Sequence, residues 1–332
     1  MNVLLARTDR LGDVLQSMAG VRSLKSCLGN GKIGFLIAKA NEAALRGNPF
    51  IDRLHYSEAV TSEELKRHDY GAAVVMFFDK KTAAVIKRAG IPQRIGPLSK
   101  IASFFYFNRG VRQHRSASIK NEAEYNLDLI RALCPSVIGE RPVIFNPGVP
   151  PSVTLPKRYV VVAPQSRNSS PNISDEQYRH IAAHLSATGV PIVLCGTERG
   201  GLCGRIASEC QGDTGAMGTT VPMAPVDLCG KTTLDELISV IRGSLFVIAP
   251  STGTLHLANA LGRPILSFYP PNKTASALRW SPYRYEGRIF TASYPCRKKC
   301  RKSRACSDRC MNFDVEEIKR EIAKLLDLQI RG

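Results

Sequence analysis

The chain has 332 residues, 44% of them apolar, and carries 46 Lys and Arg against 28 Asp and Glu, a formal net charge of +18. That length exceeds one typical domain and fits about two of ~150 residues each. No run reaches the ~20 consecutive apolar residues of a membrane-spanning helix, which sets that class aside. Such a positive field attracts polyanions, whether nucleic acid, an anionic membrane surface or a phosphorylated substrate.

Met1-Asn2 leads directly into a short apolar run that Arg7 and Asp9 interrupt, a pattern unlike a secretory leader, so the expected location is the cytoplasm. Val3–Ala6 reads as a buried strand, followed by a Gly-containing turn and a helix opening near Asp13. Ile33–Ile37 and Ala72–Phe78 read as further strands, with helices around Lys81–Ala89 and Ile119–Leu133. The Asn146–Ser152 stretch, rich in Gly and Pro, predicts a linker between domains 1–150 and 151–332. Alternation then restarts. Tyr159–Ala163, Ile192–Cys195, Leu245–Ala249 and Pro264–Phe268 read as strands. Asp175–Ala187, Thr233–Arg242, Thr254–Leu261 and Val315–Leu325 read as helices. Ser174 and Gln177 have capping-box spacing at the first of these. Strands separated by helices imply parallel sheets, hence two α/β domains with a cleft between them.

Asp13 follows the first strand, at the edge where open α/β sheets bind ligands. Flanked by Arg7 and Arg10, it reads as a base, a phosphate-site organiser or a plain helix N-terminal acid. In the second half, Ser251-Thr252-Gly253-Thr254-Leu255-His256 joins a strand to a helix. Free helix N–H groups, nearby hydroxyls and a glycine make such a turn an anion site suited to a diphosphate. Gln165–Ser170 and Gly196-Thr197 end neighbouring strands with further polar groups, and the three turns together outline a nucleotide site. Neither a GxGxxG fingerprint nor a phosphate-loop lysine is present.

Basic residues concentrate in two places, Lys87 to Arg115 and Arg297 to Arg304. Phe104-Phe105-Tyr106-Phe107 within the first reads either as a lipid-facing patch or as core. Nucleic-acid binding predicts aromatic residues interleaved with the charge, and the second run has none. Ten cysteines imply no disulfide framework in a cytosolic chain of this size, so Cys27, Cys134, Cys195 and Cys229 read as small core residues. Cys296, Cys300, Cys306 and Cys310 form a separate cluster in the basic segment 294–311. Four thiolates at that spacing fit a structural zinc or iron site as well as a reduced basic loop.

Taken in order, Arg7 with Leu11-Gly12-Asp13-Val14-Leu15, then Asp227–Leu234, then Ser251–Pro264 resembles the ADP-heptose:lipopolysaccharide heptosyltransferases of glycosyltransferase family 9 over nearly the whole chain. The resemblance implies a GT-B fold: two Rossmann-like domains with parallel sheets facing across a cleft, acceptor in the first and donor nucleotide in the second. It implies inverting transfer of heptose from ADP-heptose to a lipopolysaccharide-core acceptor, with no cofactor required, by an enzyme peripheral at the anionic inner membrane. Asp13 matches the general base. Thr252, Gly253, Thr254 and His256 match the diphosphate motif, with Ser251, Ser166, Arg167, Gly196 and Thr197 on the donor side. Arg10, Arg109, Arg112 and Arg115 resemble the acceptor-binding arginines. Relatives that glycosylate autotransporter proteins carry cysteine-bound iron, so a protein acceptor is an alternative, as is another nucleotide sugar. Two departures stand out. Ser251 replaces the usual Asp, and Pro171-Asn172 replace a lysine, leaving Arg167 or Lys231 to meet the leaving nucleotide's charge.

Overall fold

The computed structural model describes residues 1–165, 171–198, 201–209, 224–292 and 310–331. Two compact units emerge, Met1–Asn146 and Pro147–Gly332.

The first unit contains β1 (Asn2–Ala6), α1 (Leu11–Ser17), α2 (Val21–Leu28), β2 (Ile33–Ile37), α3 (Glu42–Leu45), β3 (Arg53–Tyr56), α4 (Ser62–Lys66), β4 (Tyr70–Val75), α5 (Lys80–Arg88), β5 (Gln93–Pro97), β6 (Arg109–Val111) and α6 (Glu122–Arg131). Its sheet runs β3-β2-β1-β4-β5-β6, every pair parallel. The second contains β7 (Val160–Val162), α7 (Asp175–Ala187), β8 (Ile192–Leu194), α8 (Gly201–Glu209), β9 (Val226–Asp227), α9 (Leu234–Gly243), β10 (Val247–Ile248), α10 (Gly253–Ala260), β11 (Ile265–Tyr269), α11 (Ala277–Trp280), β12 (Gly287–Thr291) and α12 (Val315–Arg331). Its sheet runs β12-β11-β10-β7-β8-β9, again all parallel.

Both sheets thus share one winding. The first strand of each unit lies between its second and fourth, and the chain progresses outward in opposite directions from there. Parallel strands need crossovers, and covering helices bury both faces, which is why the central strands read as unbroken apolar runs. Val3, Leu4, Leu5, Ile33, Phe35, Leu36, Val160, Val161 and Val162 are fully buried. The α/β, Rossmann-like expectation for each half is met.

Several local expectations need correction. The helix expected from Ile119 begins at Glu122, because Ser118 takes a positive φ of 49° and the Asn121 side chain caps the helix by accepting from the Ala123 N–H. The flanking strands β3, β5, β6, β9 and β12 have no apolar run to announce them. They pair because a parallel neighbour already presents its backbone groups. The cysteines of the core reading differ too. Cys27 is exposed on α2 and disulfide-bonded to buried Cys134, while buried Cys229 is bonded to Cys203 on α8. Cys195 alone of that set keeps a thiol in the core, and burial pushes it up to about 12. Local sequence surroundings carry no information about a partner 107 residues away.

Gly287 opens β12 at φ 110°, and a Cβ there would lie 2.0 Å from the Ile265 carbonyl oxygen. Gly287→Ala therefore meets backbone that cannot yield, and should lower the stability of the second unit by more than about 2 kcal/mol. Thermal melting monitored by circular dichroism tests this.

Candidate active site

In the first unit everything converges on Arg7. Its backbone N–H extends the β1 ladder by donating to Leu36 O at 3.0 Å. Its buried guanidinium then meets three carboxylates: Nε lies 2.7 Å from Asp9 Oδ1, Nη2 2.7 Å from Asp13 Oδ1 and Nη1 3.1 Å from Glu122 Oε1. Nη1 also donates to Asn126 Oδ1 at 3.1 Å and to Met76 O, just beyond β4, at 3.4 Å. One side chain thereby joins α1, α6 and the ends of β1 and β4. The crevice beyond those two strand ends is where the winding reverses, the place at which doubly wound sheets bind ligands.

Asp13 lies in the first turn of α1, and 15% of its side chain reaches solvent. Burial raises its pKa from 3.8 to about 6; Arg7 opposes the rise, and Asp9 and Glu122 add to it. The local charge explains the balance. Arg7 and Arg115 supply two positive charges against three negative ones on Asp9, Asp13 and Glu122, in a largely dry setting. A carboxylate tuned toward neutrality, still ionised at pH 7 and partly open to solvent, has the properties of a general base.

The four acceptor-type arginines separate. Arg10 precedes α1 as its N-cap residue and is exposed, as is Arg112. Arg109 is exposed on β6 and donates to Gln93 Oε1 at 2.7 Å and to the Ala132 carbonyl. Arg115 instead turns inward. Its Nη1 lies 2.5 Å from buried Glu122 and its Nε donates to Gln113 at 2.8 Å. It is built into the Arg7 network through a shared carboxylate. Sequence reading did not single out Glu122 or Asn126, since nothing local ties residues 115 and 119 positions after Arg7 to its guanidinium.

In the second unit, the carboxyl ends of β10, β7, β8 and β9 carry the polar turns. Thr252 occupies the N-cap position of α10 without capping it, and its Oγ1 is buried with no hydrogen-bond partner among the described residues. A buried hydroxyl in that condition costs free energy unless a ligand completes it. It stands beside the first N–H groups of α10, which by helix geometry lack intrahelical acceptors. Ser251 hydrogen-bonds the Tyr269 hydroxyl, which donates to Trp280 O at 2.8 Å. His256 is buried one turn into α10, and desolvation pulls it down to about 4. It is therefore neutral at pH 7 and can serve a ligand only as a hydrogen-bonding group.

Gly196 follows β8 and Thr197 beside it is exposed. A Cβ on Gly196 would lie 2.5 Å from Gln165 Oε1, which accepts from the Glu198 N–H at 3.2 Å. The glycine lets the ends of β7 and β8 close on one another. Lys231 donates to Asp227 O at 2.7 Å and sits 3.5 Å from that residue's carboxylate, so its charge is largely answered locally. Ser166 and Arg167 lie outside the described residues, as do Cys296, Cys300 and Cys306; Cys310 is described and half-buried.

Two doubly wound sheets, one with a largely buried carboxylate at its reversal point and the other with an uncapped helix start, are an architecture compatible with a glycosyltransferase. The model of glycosyltransferase family 9 (heptosyltransferase) matches residues 60–309, and the chain belongs to that family. A Haemophilus influenzae protein provisionally named a glycosyltransferase is 27% identical over 305 residues, covering 84% of this chain and 85% of that one. Among solved structures, E. coli ADP-heptose LPS heptosyltransferase II matches with TM-score 0.78 at 18% identity over 100% of both chains. E. coli heptosyltransferase WaaC with ADP matches with TM-score 0.74 at 16% identity, over 98% of this chain and 100% of that chain. At these identities the structures speak for the fold, which is GT-B. No described helix is long and apolar enough to cross a membrane.

Because burial lifts Asp13 above its ordinary 3.8, the folded chain holds that proton more tightly than the unfolded chain. The group's contribution to stability therefore falls as pH rises from about 4 to about 6, and the penalty is complete above that. Asp13→Asn should raise stability by about 1–3 kcal/mol at pH 8 and lose that advantage near pH 4. Denaturation midpoints of both proteins at the two pH values check it.

Proposed function

We propose that this protein moves heptose from ADP-heptose to a hydroxyl of a lipopolysaccharide-core acceptor with inversion at the anomeric carbon. The observation that carries this reading is Asp13, held by Arg7 at the reversal point of the first sheet and raised to about 6. The acceptor oxygen attacks the anomeric carbon and gives its proton to the Asp13 carboxylate. The bond from that carbon to the diphosphate oxygen breaks, and ADP departs with the electron pair. No step calls on a metal.

The leaving diphosphate's charge falls to the start of α10. There the N–H groups of Gly253 and Thr254 and the Thr252 hydroxyl, without a partner among the described residues, supply donors. His256, being neutral, contributes a hydrogen bond rather than charge. With Lys231 engaged by Asp227, the cation meeting the nucleotide is assigned to Arg167, and Ser166, Gly196 and Thr197 are assigned to the donor side with it. On the acceptor side, Arg10, Arg109 and Arg112 are exposed and suit phosphates of the core sugars. Arg115 acts through Glu122 as a positioning residue. The phosphorylated acceptor and the high positive charge suit work at the cytoplasmic face of an anionic inner membrane.

A second reading, a different nucleotide sugar on the same fold, draws support from Ser251. A neutral hydroxyl engaged with Tyr269 stands where relatives of the resembled family usually hold a carboxylate. The cysteine-rich segment is proposed as a structural zinc or iron site on the strength of its thiol spacing and basic surroundings.

Asp13→Ala should lower transfer about 10²–10⁴-fold while leaving the ADP dissociation constant unchanged, because the base acts only on the acceptor. Calorimetric titration with ADP, UDP, GDP and CDP tests the donor. Selective ADP binding upholds the heptose reading, preference for another diphosphate transfers support to the second, and His256→Ala should weaken whichever binds. Elemental analysis should find about one zinc or iron per chain if the cysteines form a site.

A further inference from the structure

Between Lys80 and Asn121 the sequence holds ten Lys and Arg and no Asp or Glu. In the middle of this stretch the chain makes a 3-10 turn, Ile101–Phe105, whose side chains are sharply divided. Ser103 is buried, with its hydroxyl donating to Lys100 O at 2.5 Å. Phe107 is buried against Phe78, ring centroids 5.8 Å apart, and over Gly96, where a Cβ would lie 2.4 Å from the Phe107 ring. Ala102 and Tyr106 pack on the same core. These residues anchor the turn. Ile101, Phe104 and Phe105 point away from it, 84%, 55% and 70% exposed.

A single exposed apolar residue needs no explanation, but three large ones on one anchored turn form a patch. In a 3-10 helix, residues three apart eclipse, so Ile101 and Phe104 share a face, with Phe105 adjoining. Cations rim that face. Lys87 Nζ donates to Phe105 O at 2.8 Å, fixing an ammonium at the base of the aromatic ring, and exposed Lys100 opens the turn. An apolar tip with ammonium groups at its base matches the profile of a lipid monolayer, acyl chains below and anionic headgroups above. Single-stranded nucleic acid would ask for stacking faces along a groove, and an Ile at the most exposed position offers none.

We propose that the Lys100–Phe105 turn is a membrane wedge, inserting Ile101, Phe104 and Phe105 into an anionic bilayer while Lys87 and Lys100 meet the phosphates. This deepens the membrane element of the proposed function but is measured without donor or acceptor. A chain that binds vesicles yet transfers no sugar would sink the transfer reading and leave the wedge standing.

The test is sedimentation of the full chain with extruded vesicles of phosphatidylglycerol in phosphatidylcholine. The unsubstituted chain should partition onto them, and the I101S/F104S/F105S variant should lose about 100-fold in partitioning with an unchanged melting curve. K87Q/K100Q should weaken binding to anionic vesicles and not to pure phosphatidylcholine. As an independent readout, the emission of Phe105→Trp should shift to the blue on adding vesicles, after subtraction of the signal from the sole native tryptophan, Trp280. Equal partitioning of the triple variant, or no emission shift, would overturn the wedge. So would binding of single-stranded DNA that the triple substitution abolishes while vesicle binding persists.

Discussion

A guanidinium removed from water at the end of a sheet's first strand must be paired, and the pairing of Arg7 organises the first unit. Leaving such a charge without partners costs several kcal/mol, so the chain brings partners to it from near and distant elements alike. Asp9 and Asp13 come from the turn and helix that follow, Glu122 and Asn126 from α6, and Met76 O from the end of β4. Three carboxylates around one guanidinium overshoot neutrality, and Arg115 partly restores it through Glu122. Burial, with the negative charge of Asp9 and Glu122 adding to it against Arg7, raises the Asp13 carboxyl to about 6. The arrangement that secures the helices is thus also the one that tunes the proposed base.

The second unit solves the opposite electrostatic problem. Its carboxyl strand ends offer the start of α10, a Thr252 hydroxyl with no partner among the described residues, and a turn closed by Gly196 against Gln165. Asp227, the acid on β9, is answered by Lys231 and by the Cys229 N–H at 2.9 Å. Burial of His256 removes its charge but leaves a polar group at the first turn of α10. Two units with one winding therefore present unlike chemistry at corresponding strand ends, a largely buried carboxylate in one and an uncapped helix start in the other, in keeping with the proposed base and diphosphate site.

Much of this was legible in the residues. The central strands announced themselves because strands buried on both faces are apolar throughout, and α7 fell where Ser174 caps it, its hydroxyl accepting from the Gln177 N–H, although the Gln177 side chain donates to Phe313 O instead of closing a capping box. Thr233 and Glu236 form a complete capping box at α9, one residue before the helix itself begins. The outlying strands were invisible, as Gln93–Pro97 and the edge strand Arg109–Val111 show, because their place depends on a neighbour's ladder rather than on their own side chains. The Phe104–Phe107 run allowed core or lipid contact, and the fold divides it between the two. Arg115 looked like its exposed neighbours until Glu122 claimed it.

What the sequence by itself determined is whatever depends on near neighbours: the α/β alternation, the caps, the polar turns after the strands, the excess of positive charge, and the ordered motifs of family 9. Only the tertiary structure decided which of those groups share a dielectric environment. Asp13 next to Arg7 in sequence is a helix-start acid. Asp13 buried with Asp9 and Glu122 around the same guanidinium is a carboxyl raised to about 6, the proposed base, because desolvation and charge–charge interaction depend on distance in the fold and not along the chain. Likewise, the pairing of Cys27 with Cys134 and the inward turn of Arg115 arise only once α2, α6 and the loop after β6 have been brought together.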